Sequence, residues 1–143
     1  VNRNIGNPYI YMPDVPIDLL APQPTIHMSE GTYDIIGIKE LFSDDDDYSH
    51  VYVSVGTRKA YVRCLKQVLK MTVFLNAELI VYIDNDDDVD LRFYRDLFKE
   101  FEPLFDDIVI ICNEAIDDKG KPVKDFGDLS KPFKLARYSL YRK

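Results

Sequence analysis

Between Val51 and Ile83 the spacing of apolar and polar residues changes period twice. Val51, Val53 and Val55 alternate with Tyr52 and Ser54, which predicts a short half-buried strand. Gly56 supplies a turn, and Thr57 stands where a helix N-cap belongs. From Lys59 onward the steps become three and four. Tyr61, Cys64, Leu65, Val68, Thr72 and Leu75 form one apolar stripe, and Lys59, Arg63, Lys66 and Lys70 form a basic row on the other side of the same helix. Asn76 and Ala77 interrupt the helix, and the run from Glu78 to Ile83 predicts a second strand. Strand, crossover helix and strand in such close succession imply a βαβ unit with both strands in one sheet.

The pattern continues downstream. Leu91, Tyr94, Leu97, Phe98 and Phe101 predict a second amphipathic helix that Pro103 ends, and the run from Ile108 to Cys112 predicts a third strand. Residues 113–131 are rich in Gly, Pro and charge and predict a long exposed loop. The alternation from Phe133 to Tyr141 predicts a closing strand antiparallel to the third. The stretch from Asp34 to Phe42 is a short apolar piece that fits a strand or a helical turn. The resulting order is βαβαββ, an α/β fold of the α+β two-layer sandwich type, formed by one domain from residue 28 to 143.

Residues 1–27 have a different character. They carry Pro8, Pro13, Pro16, Pro22 and Pro24, a spacing that forbids helix and favours extended chain. Ile10, Tyr11, Ile17, Leu19 and Leu20 lie among these prolines, as the apolar anchors of a groove-docking peptide would. The pair His27-Met28 suggests a junction, with a natural start at Met28. Residues 1–27 therefore read either as a fused partner peptide or engineered leader, or as a native arm packed on its own domain.

Composition narrows the chemistry. The chain has 143 residues, 46% hydrophobic and 30% charged, with a net charge of −7, which argues against unspecific coating of nucleic acid but allows a local basic patch. No apolar run is long enough to span a membrane. Cys64 and Cys112 sit among apolar neighbours and read as buried reduced thiols in an intracellular protein, nuclear or cytoplasmic. The two acidic runs are Asp44–Asp47, read as a solvated loop, and Asp84–Asp90, at the end of a strand. The second run fits an EF-hand only at Asp84, Asp86 and Asp88, because Val89 and Arg95 replace the required glycine and glutamate. The simpler reading of Asp88 and Asp90 is helix capping. With two histidines, His27 and His50, and no phosphate-binding glycine loop, the sequence points to no catalytic residue, no metal site and no cofactor.

The stretch VYVSVGTRKAYV, residues 51–62, resembles the start of the Alba family, which includes protein subunits of RNase P and RNase MRP. The shared features are a strand, a Gly/basic turn and a helix opening on the aromatic-aliphatic pair Tyr61-Val62, and the likeness in element order extends over residues 50–143. The resemblance implies a non-catalytic dimeric subunit, pairing with itself or with an Alba-like relative in a ribonucleoprotein or chromatin assembly. It also implies RNA or DNA contacts through the basic turn and the last hairpin. The nucleic-acid-binding residues expected on that basis are Arg58, Lys59, Arg63, Lys66, Lys119, Lys121 and Lys124. The family has a small glycine-containing turn after its second strand, where this chain has Asp84–Asp90, and carboxylates repel phosphates. Two other readings stay open: a protein-interaction adaptor with a peptide-binding groove and no nucleic-acid binding, and, more remotely, an aspartate- and metal-dependent phosphotransferase or hydrolase.

Overall fold

The computed structural model of the chain describes residues 9–11, 25–41, 50–71, 77–83, 90–121, 123 and 134–141. Its elements are β1 (Tyr9–Tyr11), β2 (Thr25–Ser29), α1 (Thr32–Leu41), β3 (His50–Ser54), α2 (Tyr61–Met71), β4 (Ala77–Ile83), α3 (Leu91–Leu97), β5 (Phe105–Asn113) and β6 (Leu135–Ser139). Short 3-10 turns, Arg58–Ala60 and Lys99–Leu104, lead into α2 and out of α3.

The six strands form one mixed sheet in the order β1-β3-β2-β4-β5-β6. The inner four are parallel to one another, and β1 and β6 close the two edges antiparallel to their neighbours. The strands expected around residues 51–55 and 78–83 share this sheet, and the closing strand pairs antiparallel with β5, as the sequence indicates. Between β3 and β4, however, lies Thr25–Ser29, a strand outside the stretch that carries the Alba resemblance. The boundary drawn between residues 27 and 28 runs through the middle of this strand. Ile26, His27, Met28 and Ser29 are all buried, so the His-Met pair belongs to the core of the fold.

Strand alternation sorts the side chains onto two faces. Ile26, Met28, Val51, Val53, Leu79, Val81, Ile108 and Ile110 meet Tyr61, Cys64, Leu65 and Val68 of α2 and Tyr94, Phe98 and Phe101 from α3 and its following turn. On the other face Tyr52, Ile80, Tyr82, Val109 and Ile111 meet Ile35 and Ile38 of α1. Helices thus cover both faces, which corrects the two-layer expectation to three layers. The cause lies in Thr32–Leu41, where Ile35 and Ile38 face the sheet one turn apart and make a helix of the piece left open between strand and turn. Parallel strands buried on both sides read as near-continuous apolar runs, as in Leu79–Ile83 and Ile108–Cys112. Cys64 and Cys112 are buried and free in the same core. No helix among the described residues is long and apolar enough to cross a membrane.

Candidate functional site: a cleft where the sheet changes direction

From β2 the chain moves outward to β3, then crosses back over β2 to begin β4 on its other side. The connections after β2 and β4 therefore leave in opposite senses, and a crevice opens between the carboxyl ends of those two strands. In open α/β sheets this is where ligands bind. Here the crevice is lined by Glu30, Asp34, Arg58, Tyr61, Tyr82, Ile83 and Tyr94, and its open space is ≈ 20 Å³, room for about one water molecule.

Each wall comes from a different layer. Glu30 directly follows β2, and Asp34 lies in the first turn of α1, where the Ile35 amide bonds the Gly31 carbonyl at 3.2 Å. Gly56, with φ 81°, takes a left-handed conformation that suits glycine, and its amide bonds the Glu30 carbonyl at 2.9 Å. The Val55 amide bonds the Ser29 carbonyl at the same distance, so the ends of β2 and β3 are tied together beneath the cleft. Thr57 is extended and its side chain makes no capping hydrogen bond; the following turn closes instead through its carbonyl, which accepts from the Ala60 amide.

On the α2 and α3 side the floor is aromatic. Tyr61 is buried and meets Tyr94 and Phe98 edge-on, with ring centroids 6.4 and 6.0 Å away. Asp90 caps α3, accepting from the amides of Arg92 at 3.0 Å and Phe93 at 3.3 Å. That cap fixes the orientation in which Tyr94 enters the floor while the adjacent Phe93 stays at the surface, 41% exposed. The Arg58 guanidinium carbon sits 5.7 Å from the Phe93 ring centroid, an arginine laid over an aromatic face at the rim.

Below the cleft, on the α1 face, lies a buried polar chain. His27 has no exposed surface; its Nδ1 is 2.8 Å from the Tyr82 hydroxyl and its Nε2 is 2.8 Å from Nδ1 of His50. Its ring stacks on Tyr52 with centroids 4.8 Å apart. Burial, reinforced by the neighbouring His50, pushes the His27 pKa down to about 3, and burial raises that of Tyr82. Both groups are therefore neutral near neutral pH. A neutral imidazole donates from one nitrogen and accepts at the other, so the Tyr82–His27–His50 bonds run in one direction or the reverse, as a unit.

The residues expected to touch nucleic acid fall in two groups. Arg58, Lys59, Arg63 and Lys66 are exposed along the 3-10 turn and α2, with Lys66 Nζ 3.7 Å from Glu100 Oε1, and Arg58 alone of the four lines the cleft. Lys119 and Lys121 are exposed in a turn after β5, where both of their amides donate to Asp117 Oδ1 at 2.9 Å. Because β3, β4 and β5 are parallel, this turn and the Arg58 turn leave the same end of the sheet. Lys124 and the acidic residues Asp44–Asp47 and Asp84–Asp88 lie outside the described residues. Of the peptide anchors, Ile10 and Tyr11 belong to β1, in register with Val53 and Tyr52 at the sheet edge; Ile17, Leu19 and Leu20 lie outside the described residues.

Sequence reasoning did not single out Glu30, Asp34, Tyr61, Tyr82 or Tyr94 as a site. The available signal was the short Ser29-Glu-Gly31 step between an apolar pair, Ile26 and Met28, and a helix, the usual form of a strand-to-helix turn at the ligand end of an α/β sheet. Among the described residues no group of His, Cys, Asp and Glu is arranged to hold a metal ion. Comparison with protein-family models, with curated proteins and with solved structures gives no match for the chain.

Proposed function

We propose that this chain is a ligand-binding α/β domain that holds a small hydroxyl-rich molecule at the mouth of the cleft between the carboxyl ends of β2 and β4. The observation that carries this reading is the placement of Glu30 and Asp34 at the switch point of the sheet, with Arg58, Tyr61 and Tyr94 on the facing wall. Carboxylates accept hydrogen bonds from hydroxyls at charge-assisted strength, and the buried tyrosines hold the floor beneath them. Loss of both carboxylates, in Glu30→Gln with Asp34→Asn, is expected to weaken binding about tenfold or more, since a hydrogen bond to a charged group is worth about 1.5–3 kcal/mol. The test is a thermal-shift panel of saccharides and nucleosides on wild type and double variant. A panel without a single hit, or hits that the double variant retains in full, counts against the cleft.

A second reading keeps the role that the Alba resemblance implies: a non-catalytic subunit that assembles with protein partners and contacts RNA or DNA. Its support is that Arg58 and Lys59 share one end of the sheet with Lys119 and Lys121. Lysines and arginines on one surface add their counterion-release contributions. Salt-dependent RNA binding that Lys119→Glu with Lys121→Glu abolishes, while the carboxylate variant leaves it intact, would favour this reading over the first.

A further inference from the structure

The polar chain on the α1 face joins a histidine near the surface to a buried hydroxyl at the carboxyl end of the sheet. His50 opens β3 and is half-buried, while His27 and Tyr82 lie in the interior. His50 is level with Thr25 and Tyr82 with Ser29, so the two ends of the chain stand four residues of β2 apart, about 13 Å along the strand. Both links, His50 Nδ1 to His27 Nε2 and His27 Nδ1 to the Tyr82 hydroxyl, are 2.8 Å long. Tyr52 stacks on both imidazoles, with centroids 4.8 Å from His27 and 6.0 Å from His50, and holds them in line.

A charged imidazole carries N–H on both nitrogens and can only donate. His50, once charged, therefore donates from Nδ1 to His27 Nε2. His27 stays neutral, its pKa held down at about 3 by burial and by His50 beside it. Its single proton must then sit on Nδ1 and be donated to the Tyr82 oxygen. With His50 neutral the opposite sense is open: Tyr82 donates to His27 Nδ1, and His27 Nε2–H donates to His50 Nδ1. That sense suits the neutral chain, because the proton of the buried Tyr82 is bonded within it.

We propose that Tyr82, His27 and His50 form a proton-operated relay, in which charging His50 reverses both hydrogen bonds, moves the His27 proton from Nε2 to Nδ1 and turns the Tyr82 O–H away from His27. One proton is taken from solvent and resides on His50; His27 and Tyr82 keep one each, and no bond between heavy atoms changes. Histidine is the side chain that ordinarily gains charge in mildly acidic solution. Among the described residues, the other titratable groups on this face are Tyr52, Glu78, Asp107 and Arg137 from the strands and Asp34 and Lys39 from α1, with Glu78 and Arg137 paired at 2.6 Å. Carboxylates, ammonium groups and phenols ordinarily titrate outside the histidine range. Tyr82 is also one of the residues around the crevice, so the relay carries the state of His50 to that end of the sheet whatever the cleft holds.

The experiment is nuclear magnetic resonance of the full chain, titrated from about pH 8 to about pH 5, the span in which histidine ordinarily charges. Long-range proton–nitrogen correlations tell a protonated ring nitrogen from a bare one, and the ring carbon that bears the Tyr82 hydroxyl reports its hydrogen bonding. As His50 gains its second proton, His27 should exchange Nε2–H for Nδ1–H completely, remain singly protonated, and do so with the midpoint of His50. The Tyr82 carbon should shift with the same midpoint. In His50→Phe, whose fold a thermal melt checks, His27 should keep one tautomer across the range; if that variant does not fold, the wild-type titration decides alone. A His27 tautomer that stays fixed while His50 charges overturns the relay, as does a second proton on His27 in the same range. A Tyr82 signal that does not follow, or a tautomer exchange that persists in folded His50→Phe, overturns it too.

Discussion

His27 is neutral in the folded protein because burial and the adjacent His50 hold its pKa at about 3, while in the unfolded chain it titrates near the ordinary histidine value of about 6.5. The folded value is the lower of the two, so the unfolded state binds the extra proton first. This contribution to stability is complete above about pH 6.5 and is lost as pH falls toward about 3, with a limiting slope near 1.4 kcal/mol per pH unit. Urea unfolding between pH 7 and pH 5 should show the fall in wild type and a flatter profile in His27→Phe. That variant should also be less stable at pH 7, because Tyr82 and His50 each lose a buried partner. Parallel pH profiles for the two proteins would show that His27 is not the residue responsible. The position also marks where sequence reading stops. A histidine between Ile26 and Met28 breaks the apolar pattern of a core strand, and the partners that satisfy it, His50 and Tyr82, are 23 and 55 residues away. Nothing local in TIHMS shows that its polar side chains are already bonded.

At the scale of elements, α3 depends on its N-cap more than longer helices do. It spans seven residues, and Asp90 satisfies two of its free amides with one carboxylate oxygen. Asp90→Ala should lower stability by about 1 kcal/mol, with Asp90→Asn retaining most of it, as chemical denaturation would measure. Equal stability of all three proteins would mean that the fold, and not the cap, holds α3. This capping role is one the acidic run suggests from sequence alone. The periodic segments are legible too: β3, α2, β4, α3, β5 and β6 all begin within three residues of where their patterns place them, because each has one strong apolar face. What the pattern misses is β2, and what it leaves open between a strand and a helical turn is α1. The first follows Pro22 and Pro24 and mixes polar with apolar residues; the second is only ten residues long and has little contrast between its faces, with Ile36 exposed beside buried Ile35. Without β2 and a definite α1 the crossover that makes the cleft stays hidden, so Glu30 and Asp34 look like ordinary loop acids. Arg58 is recognisable as an exposed helix-start cation, but only the tertiary fold brings it opposite them.

For the molecule as a whole, the strand order makes the N-terminal region indispensable to the sheet. β2 pairs with both β3 and β4 along five residues each, and its removal would leave those two strands without a common neighbour. A polypeptide of residues 28–143 keeps only Met28 and Ser29 of β2 and should lack the cooperative melting and near-ultraviolet dichroism of the full chain. A polypeptide that starts at residue 22, retaining β2 but not β1, should fold. A well-folded 28–143 fragment would instead show that the rest of the sheet can close without its centre. The edges of this arrangement have a mechanical meaning. Strands lie about 4.8 Å apart, so β1 and β6 are on opposite rims, five spacings from each other, and the first and last strands among the described residues are the two outermost. Tension applied between Tyr9 and Ser139 acts across the strands, so it strips hydrogen bonds one after another, beginning with the three-residue β1. The protein should therefore yield to stretching from its rims inward, surrendering its two antiparallel borders at low force while the parallel centre and the cleft at its end still hold.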